Sequence, residues 1–358
     1  MTLLINNETA KELLSMHGCV EALEAAFKEE GQGSGANRTK SNIHIPTKDP
    51  DHWYRYCSME GGLKEAGIAA IRLKSDVVSW PLYHGVRREL KYCVRPGSFC
   101  GLILLFSADN GELLAILNDG YVQHMRVGAT AGVAARYMAR KDASVVGMIG
   151  SGGMAETHLE AYSVVRAISQ VKVYSPNREH RESYAKRMSQ KLDVEVIPLG
   201  NPRDVVGKAD IVATCTDANE PIIWADWLEE GMHLTCVRTY EVGEDIFQRA
   251  DRYVAYRSAM ALNHFTTPED LRPFSLGGSR PSYMGLIERM PPGKRHHLKD
   301  VILGRVPGRE KDQEVNVFDS EGTGVQFAAV AYKVYSLARE KGLGRELPTD
   351  WFLQNIRD

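Results

Sequence analysis

Hydrophobic residues near the start of the chain recur at helical spacing. Between residues 8 and 30 the apolar positions are Ala10, Leu13, Leu14, Val20, Leu23, Ala26 and Phe27. Spacings of three and four residues are typical of a helix with one buried face, and a glycine weakens a helix where it interrupts such a pattern. We therefore predict two amphipathic helices at the start of the chain, separated at Gly18.

A β-like pattern follows from Asn42 to Val78, where β-branched and aromatic residues alternate with polar ones. Two further apolar runs, 101–106 and 113–117, flank a segment that contains Asn110 and Gly111. An Asn-Gly pair between apolar runs favours a tight turn that joins antiparallel strands. This part of the chain is predicted to form an antiparallel or mixed sheet.

The pattern then changes to helices and strands in alternation. An alanine-rich helix is predicted over 123–140, and the later elements are a strand from 145, a strand at 171–174, a helix at 178–191, a strand at 194–197, a short helix at 202–206, and strands at 210–215, 231–237 and 252–256. Such alternation indicates an α/β fold with a doubly wound, Rossmann-type parallel sheet. The last helix, 326–341, has apolar residues on several faces and is predicted to pack back onto the first part of the chain.

A glycine-rich turn joins the strand at 145 to the next predicted helix. Its residues are Gly150, Ser151, Gly152, Gly153, Met154 and Ala155. In this pattern the first glycine permits a sharp turn, the second lets the backbone approach a pyrophosphate, and the alanine lets helix and strand pack closely. The N-terminus of a helix also attracts an anion. We therefore predict that all six residues contribute to a dinucleotide site.

Composition narrows the choice of partner. The chain has 358 residues, 25% of them charged, and a net charge of −2. This balance lacks the basic patch of a nucleic-acid-binding protein and favours a small-molecule partner. No apolar run reaches the roughly 20 residues that cross a bilayer, and the N-terminus does not resemble a signal peptide. We expect no membrane partner and a cytoplasmic protein.

The six cysteines, at positions 19, 57, 93, 100, 215 and 236, form no CxxC pair. Their spacing matches no metal-ligand pattern, and several fall in apolar, strand-like runs. We interpret them as free and largely buried thiols. No metal site is predicted.

The end of the strand at 171–174 bears on the choice of nicotinamide cofactor. An acidic residue there would accept hydrogen bonds from the ribose 2′-hydroxyl of NAD. This chain instead has Ser175, Asn177 and Arg178, with Arg181 one turn later. Hydroxyl, amide and guanidinium groups are donors that suit a 2′-phosphate. NADP(H) is therefore favoured and NAD(H) remains possible, because the same residues also fit an exposed, basic start of a helix.

Several motifs, taken in order, resemble the ornithine cyclodeaminase/mu-crystallin family. They are the segments 104–115, 125–131, the turn at Gly150, 209–216 with 220–222, 231–234, 303–309 and 317–322. The resemblance extends from about residue 8 to residue 344. Relative to the family, residues 79–96 and 274–297 look like insertions.

The resemblance implies two domains and a homodimer. Residues 1–125 with 315–358 would form a substrate-binding and dimerisation domain of α+β type, and residues 126–314 the dinucleotide-binding domain. Thr214, Thr216 and Val237 would complete the cofactor site. Members of the family act on amino and imino acids as cyclodeaminases, dehydrogenases or reductases, so the resemblance leaves the reaction open.

The family binds the substrate carboxylate with cations that match Arg38, Lys74 and Arg126 of this chain. Guanidinium and ammonium groups suit this role because they form charge-assisted hydrogen bonds to carboxylates. Lys74 ends an apolar strand and Arg126 lies in an alanine-rich helix, where an unpaired charge is costly. Arg38 lies in a segment without such a pattern. The alternative for each is a solvated or ion-paired surface cation.

The chain departs from the family at two positions. Tyr240 stands where cyclodeaminases carry an aspartate that takes part in proton transfer, and Phe327 stands where an aspartate is usual. A phenol can donate a proton or hydrogen bond to a developing amine. The alternative for Tyr240 is a pocket-lining aromatic residue without a proton role, and Glu241 could take the role if the register slips by one. Phe327 cannot hold a cationic side chain, which argues against ornithine and for an apolar or aromatic substrate.

We therefore predict an NAD(P)H-dependent oxidoreductase that acts on the C–N bond of an imino or amino acid. Lys74, Arg126 and Tyr240 would carry the chemistry, and Arg38, Lys74, Arg126 and Phe327 would contact the substrate. A cyclodeaminase-like lyase that recycles bound NAD is one alternative. A non-catalytic protein that binds NADPH or another small ligand is the other.

Overall fold

The computed structural model describes residues 1–38, 40–83, 86–255 and 290–356. The first part of the second apparent insertion, residues 274–289, lies outside the described residues, as does the side chain of Tyr240. Two large sheets organise the described chain, and both the mixed and the parallel sheet expected from the sequence are present.

The first sheet is mixed. Its ten described strands are β1 (Thr2–Ile5), β2 (Gly35–Asn37), β3 (Ser41–Pro46), β4 (Trp53–Leu63), β5 (Ile68–Ser79), β8 (Leu90–Cys93), β9 (Arg95–Pro96), β10 (Cys100–Ser107), β11 (Leu113–Asn118) and β20 (Arg345–Leu347). The central order is β2-β4-β5-β10-β11-β1-β20, with β3 and β8 paired to β4 and β5. Neighbours are antiparallel except for β1 and β11. A small hairpin, β6 (Leu82–Tyr83) and β7 (Val86–Arg87), stands apart from this sheet.

Three helices belong to this half: α1 (Asn7–Leu13), α2 (Met16–Gly31) and the C-terminal helix α9 (Gly324–Lys341). The break between the first two lies at Leu14 and Ser15, so the prediction of a break at Gly18 is wrong. The Ser15 hydroxyl caps α2 by accepting a hydrogen bond from the Gly18 amide at 3.2 Å, and a serine cap begins a helix more effectively than one glycine ends it.

The second sheet is parallel throughout its described strands. They are β12 (Val145–Ile149), β13 (Gln170–Tyr174), β14 (Glu195–Pro198), β15 (Ile211–Thr214), β16 (His233–Cys236), β17 (Arg252–Ala255), β18 (Arg295–His297) and β19 (Asn316–Asp319). Their order is β14-β13-β12-β15-β16-β19-β17-β18. The order reverses at β12, which places the switch point of the sheet beside the glycine turn, where such folds bind nucleotides.

Helices cover the second sheet and connect it to the first. They are α4 (Gly153–Val165), α5 (Arg178–Leu192), α6 (Pro202–Val206), α7 (Glu244–Arg249) and α8 (Leu298–Ile302). The long helix α3 (Gly120–Met138) bridges the two sheets. Its residues Met125 and Val133 pack in the core of the first half, while Ala131 and Ala135 pack in the core of the second. Small residues on α3 allow this close packing on both sides.

The domain boundary predicted between residues 314 and 315 falls just before a strand of the second sheet. β19 covers Asn316–Asp319 and pairs with β16 and β17, so it belongs to the second sheet. The chain returns to the first sheet with α9, whose first turn lies directly against β4. Gly61 of β4 and Gly324 of α9 meet backbone to backbone, and a Cβ on either residue would collide with the other segment.

Candidate active site

The glycine turn after β12 has the geometry that a pyrophosphate requires. Gly150 has a φ of +118°, and a Cβ there would collide with the carbonyl oxygen of Cys215. Gly152 begins α4 without a side-chain cap, and nothing lies within 4 Å of the position that its Cβ would take. The free amides at the helix start therefore face open space. This arrangement fits an anionic group on the helix axis.

The other residues of the turn support it. Ala155 is fully buried beneath the turn, and Gly153 is exposed with the His124 ring 3.3 Å from its Cβ position. Ser151 and Met154 are partly exposed. Because His124 lies at the start of α3, this contact places α3 at the edge of the turn. Burial lowers the pKa of His124, so its imidazole is neutral beside the predicted phosphate site at neutral pH.

The predicted 2′-phosphate donors lie at the end of β13 and the start of α5. Ser175 is nearly buried, and its carbonyl accepts a hydrogen bond from Arg181 at 2.9 Å. Asn177 caps α5 by accepting from the His180 amide at 3.1 Å. Arg178 is exposed and pairs with Glu182 at 2.6 Å. The donors predicted from the sequence are thus adjacent, although Arg178 already has an acidic partner.

Thr214, Thr216 and Val237 lie at the C-terminal ends of β15 and β16. A buried carboxylate, that of Glu241, forms hydrogen bonds with the first two. Glu241 accepts hydrogen bonds from the Thr214 hydroxyl at 2.9 Å and from the Thr216 amide at 2.9 Å. Burial raises the pKa of Glu241, whereas Arg238 and these hydrogen bonds oppose the rise. Glu241 therefore shapes the loop, and its buried position does not suit the proton-transfer role considered for it.

Arg126 supplies a buried guanidinium near the start of α3. Its Nη1 donates to Gln326 at 2.8 Å and its Nη2 to Gln123 at 2.9 Å, while its Nε has no hydrogen-bond partner among the described residues. No carboxylate forms an ion pair with it in the described chain. Burial and the neighbouring Arg72 lower the pKa of Arg126 to about 9, so the group stays charged at neutral pH.

Phe327 supports this guanidinium instead of lining an open wall. The ring is fully buried on α9, and the Arg126 guanidinium carbon lies 4.7 Å from its centroid. Arg72 lies 5.3 Å from the same ring. A cation above an aromatic face is stabilised by the ring quadrupole. The apolar-substrate interpretation of Phe327 therefore has no support in its position, because the ring stabilises cations.

Lys74 lies beside Arg72 on the same face of β5. Its Nζ is 2.7 Å from Asp76 and 5.2 Å from the centroid of the Phe99 ring. Arg72 pairs with Asp119 at 2.5 Å and also lies over Phe99, at 5.7 Å. Burial, followed by the charges of Arg55 and Lys91, lowers the pKa of Lys74 well below the ordinary lysine value. Two of the predicted clamp residues, Lys74 and Arg126, are thus linked through Arg72 and two aromatic rings.

Arg38 does not join this cluster in the structure. It is exposed, its amide donates to the Glu60 carbonyl at 3.0 Å, and it lines a hollow of about 410 Å³ with Glu60 and Ile71. Those two residues occupy the face of the first sheet opposite to Arg72 and Lys74, because successive strand residues alternate between faces. From this segment, Lys40 is the cation that interacts with members of the cluster.

Lys40 reaches the cluster because the backbone gains one residue before β3. Asn37 pairs with Gly61 and Ser41 with Ser58, so four steps on one strand match three on the other. One extra residue exchanges the two faces. Cys57 would raise the pKa of Lys40, but burial, Arg55 and Arg72 together lower it. Protein groups surround the Lys40 ammonium, but the residue is still exposed to solvent. This combination is expected in an open cleft.

The insertion at 79–96 adds charged residues to the same cleft. Glu89 contacts Arg55 at 2.9 Å, Lys91 at 3.5 Å and Arg238 at 3.7 Å. Arg55 also forms a two-point ion pair with Asp76. Arg238 follows β16 and donates to Asn219 at 3.3 Å. The inserted segment therefore connects the first sheet to a loop of the second sheet.

Sequence reasoning missed Lys40, Arg55, Arg72, Glu89, Lys91 and Arg238 as site residues. One signal was available, because Arg72, Lys74 and Asp76 occupy alternate positions of a strand whose other residues on that face are apolar. Charges at spacing two on a buried face require partners. The side chain of Tyr240 lies outside the described residues, and only its backbone, in the turn Thr239–Glu241, is placed.

Two classes of feature are absent from the described part of the chain. No described helix is long and apolar enough to cross a membrane. No group of three or more His, Cys, Asp or Glu residues within the described ranges is placed to hold a metal ion. The six cysteines are all free thiols, and four of them are buried.

Comparison with known proteins agrees with the fold and the motifs. The chain is 27% identical to an alanine dehydrogenase of Archaeoglobus fulgidus over 351 residues, covering 97% of this chain and 98% of the relative. It is 29% identical to a delta(1)-pyrroline-2-carboxylate reductase of Bacillus cereus over 252 residues, covering 69% of this chain and 74% of the relative.

Solved structures extend the agreement. The delta(1)-pyrroline-2-carboxylate reductase of Thermococcus litoralis, solved with NADH and L-proline, has a TM-score of 0.78 and 26% identity. The match covers 97% of this chain and all of that one. The profile of the ornithine cyclodeaminase/mu-crystallin family matches residues 87–342. The chain therefore belongs to the ornithine cyclodeaminase/mu-crystallin family.

Proposed function

We propose that the protein is an NAD(P)H-dependent oxidoreductase that acts on the C–N bond of an imino or amino acid. The observation that carries this proposal is Arg126, a buried guanidinium without a carboxylate partner in the described chain, placed two residues after His124 at the edge of the glycine turn. An amino or imino acid brings the missing carboxylate. The names of the alanine dehydrogenase and the pyrroline-2-carboxylate reductases support the same class of reaction.

In this proposal Arg126 and Lys74 bind the substrate carboxylate and so fix the position of the adjacent carbon. Two anchored points leave that carbon little freedom, which favours reaction by orientation. A nicotinamide cofactor, when bound, would supply the hydride for imine reduction or accept it in amine oxidation. Residues of the chain supply the proton. Lys74, whose pKa lies well below the ordinary lysine value, can donate one to the substrate nitrogen, and Tyr240 remains our predicted second donor.

A basic substrate side chain is disfavoured by the same cleft. An ornithine-like ammonium would meet Lys40, Arg72 and Lys74 and would find Phe327 already packed against guanidinium groups. Like charges in a partly buried site repel one another, which disfavours the charged form of such a side chain. The proposal is therefore reduction of an imine, or oxidation of an amine, in preference to deamination of ornithine.

We also propose that NADP(H) is preferred over NAD(H). Ser175, Asn177 and Arg178 offer donors to a 2′-phosphate, and no acidic residue directly follows β13 to bind the ribose hydroxyls. Arg178 would have to leave Glu182, an exposed partner that holds it weakly. Changing Arg178 to Gln is expected to raise the KM for NADPH and leave the KM for NADH nearly unchanged.

A homodimer through the outer face of the first sheet is the third part of the proposal. Ile43 and Ile45 are exposed on that face. The hollow of the same sheet is lined mostly by small and apolar residues, together with the charged residues Arg38 and Glu60. An apolar sheet face of this kind is typical of an interface between subunits.

The test is oxidation of NADH and NADPH with a panel of cyclic and acyclic α-imino acids. Turnover with at least one of them is expected, and the reverse reaction with the matching amino acid should reduce the cofactor. Release of ammonia from ornithine without net change in cofactor absorbance would instead indicate a cyclodeaminase. Binding of NADPH without any turnover would indicate a binding protein.

A further inference from the structure

The cleft holds more positive charge than one carboxylate can balance. Arg238 lies on the loop after β16 and is left out of this count. The other described cations of the cluster are Lys40, Arg55, Arg72, Lys74, Lys91 and Arg126. The carboxylates that form ion pairs with them in the described chain are Asp76, Glu89 and Asp119. When all six groups are protonated they outnumber the three carboxylates by three, and the lowered pKa values of Lys40, Lys74 and Lys91 are the expected result of this crowding. Partly buried charge of one sign is costly unless a ligand brings the other.

The cations form a row, so they do not converge on one point. Arg126 and Arg72 lie on one aromatic ring, Phe327, and Arg72 and Lys74 lie on a second, Phe99. Beyond Lys74 the row continues through Asp76 and Arg55 to Glu89. One carboxylate that binds at the Arg126 end cannot also reach the far end.

Lys91 marks the far end of the row. It lies 3.5 Å from Glu89, and its side chain is 31% exposed, so solvent and ligands have access to it. Burial, followed by the charges of Arg238 and Arg55, lowers the pKa of Lys91 even though Glu89 opposes this change. Lys91 also acts on the pKa of His124, which contacts the glycine turn. Lys91 pairs with Val78, which lies on the face of β5 that carries Lys74 and Asp76, so Lys91 faces the same cleft.

We propose that the substrate is an imino or amino dicarboxylate whose second carboxylate binds at Lys91 and Arg238. This inference rests on the proposed function and specifies its substrate class. The α-carboxylate binds at Arg126 and Lys74, and the distal carboxylate replaces part of the charge that Glu89 alone cannot neutralise. The second site is built from the insertion, which contributes Lys91, and from the loop after β16, which contributes Arg238.

A matched pair of substrates tests the inference. The imines of 2-oxoglutarate and 2-oxopentanoate, formed with ammonia and reduced with NADPH or NADH, have the same chain length but differ in the distal carboxylate. We expect kcat/KM for the dicarboxylate to be about 30-fold higher or more, the scale of a partly buried charge pair. Equal values, or a preference for 2-oxopentanoate, would overturn the inference while leaving the proposed function intact.

Variants test whether Lys91 binds the second carboxylate. Lys91→Gln is expected to reduce the dicarboxylate preference about tenfold or more, and Lys91→Arg should restore most of it. Arg95→Gln is the matched control, because Arg95 is an exposed cation of the same insertion. A preference that survives Lys91→Gln, or that is lost equally in Arg95→Gln, would overturn the assignment.

A binding measurement separates this inference from catalysis. In the presence of NADPH, glutarate is expected to raise the melting temperature of the protein more than pentanoate does, and Lys91→Gln should remove the difference. If no imino acid is reduced, the proposed function fails, and a glutarate effect that depends on Lys91 would still support the anion site. Stronger stabilisation by inorganic phosphate than by glutarate would overturn the dicarboxylate class.

Discussion

Arg126 shows how a single residue can mark a ligand site. Two side-chain amides and one aromatic ring hold the guanidinium, and none of these groups carries a negative charge. Amides orient the fork without neutralising it, so the charge remains available to a ligand. A carboxylate can then form two parallel hydrogen bonds with it.

Replacing Arg126 tests this role directly. Arg126→Gln is expected to lower kcat/KM about 100-fold, the scale of losing a partly buried charge-assisted contact, mainly through KM. Arg126→Lys keeps the charge but loses the planar fork, so its loss should be intermediate. The dissociation constant for NADPH, measured by fluorescence, should stay close to the wild-type value. A large loss of cofactor affinity would contradict the assignment to the substrate.

Lys74 carries a prediction about pH. Its pKa lies well below the ordinary lysine value because of burial and of the charges of Arg55 and Lys91. If protonated Lys74 binds the carboxylate and donates the proton, imine reduction should decline as the pH rises through this lowered pKa. The pH profile of kcat/KM reports groups of the free enzyme, so its alkaline limb should lie below the pH at which an ordinary lysine loses its proton.

Lys74→Arg provides the control for that profile. Arginine holds its proton to higher pH than lysine does in the same surroundings, so the variant should bind substrate and shift the alkaline limb to higher pH, with a lower kcat. An unchanged limb in this variant would assign the ionisation to another group, such as Arg126, whose pKa is lowered to about 9.

At the scale of elements, the two glycines of the turn between β12 and α4 are expected to have different roles, Gly150 in stability and Gly152 in cofactor binding. Gly150 has a positive φ and no room for a Cβ, so Gly150→Ala should destabilise the fold by about 1–3 kcal/mol. Gly152 has a negative φ and open space before it, so Gly152→Ala should leave the melting temperature nearly unchanged.

Gly152→Ala is expected to change cofactor affinity instead of stability. In Gly152→Ala the added methyl group occupies the space through which a pyrophosphate approaches, so the dissociation constant for NADPH should rise about tenfold or more, equivalent to about 1.4 kcal/mol. Unchanged affinity in a folded Gly152→Ala protein would remove the turn from the cofactor site.

Elements also set the limit of sequence-based prediction. The parallel sheet and the glycine turn could be predicted because each strand has its own apolar pattern and each turn its own glycines. The sheet face on which Arg38 lies could not be predicted. One extra residue between β2 and β3 exchanges the two faces and does not change the hydrophobic periodicity of the sequence. The pairing of β16 with β19 joins residues 233–236 with 316–319, and no local pattern encodes such a contact.

At the scale of the whole molecule, the outer face of the first sheet predicts the oligomeric state. Ile45 is 50% exposed on that face, so a charge there should weaken association without unfolding the subunit. Ile45→Lys is expected to shift the protein from dimer to monomer by light scattering. Ile356→Lys, at a position 90% exposed near the C-terminus, should remain dimeric. A wild-type protein that is monomeric at micromolar concentration would contradict the proposed dimer.

The inserted segment also reaches across to the second sheet. Arg88 forms a backbone bridge with Ala218, and its guanidinium pairs with Asp217. Any hinge motion that widens the cleft must therefore either break this strap or carry the insertion along with the nucleotide-binding half. In the second case Glu89 and Lys91 would leave Arg55 behind, and ligand entry would become coupled to the disassembly of the charge cluster itself.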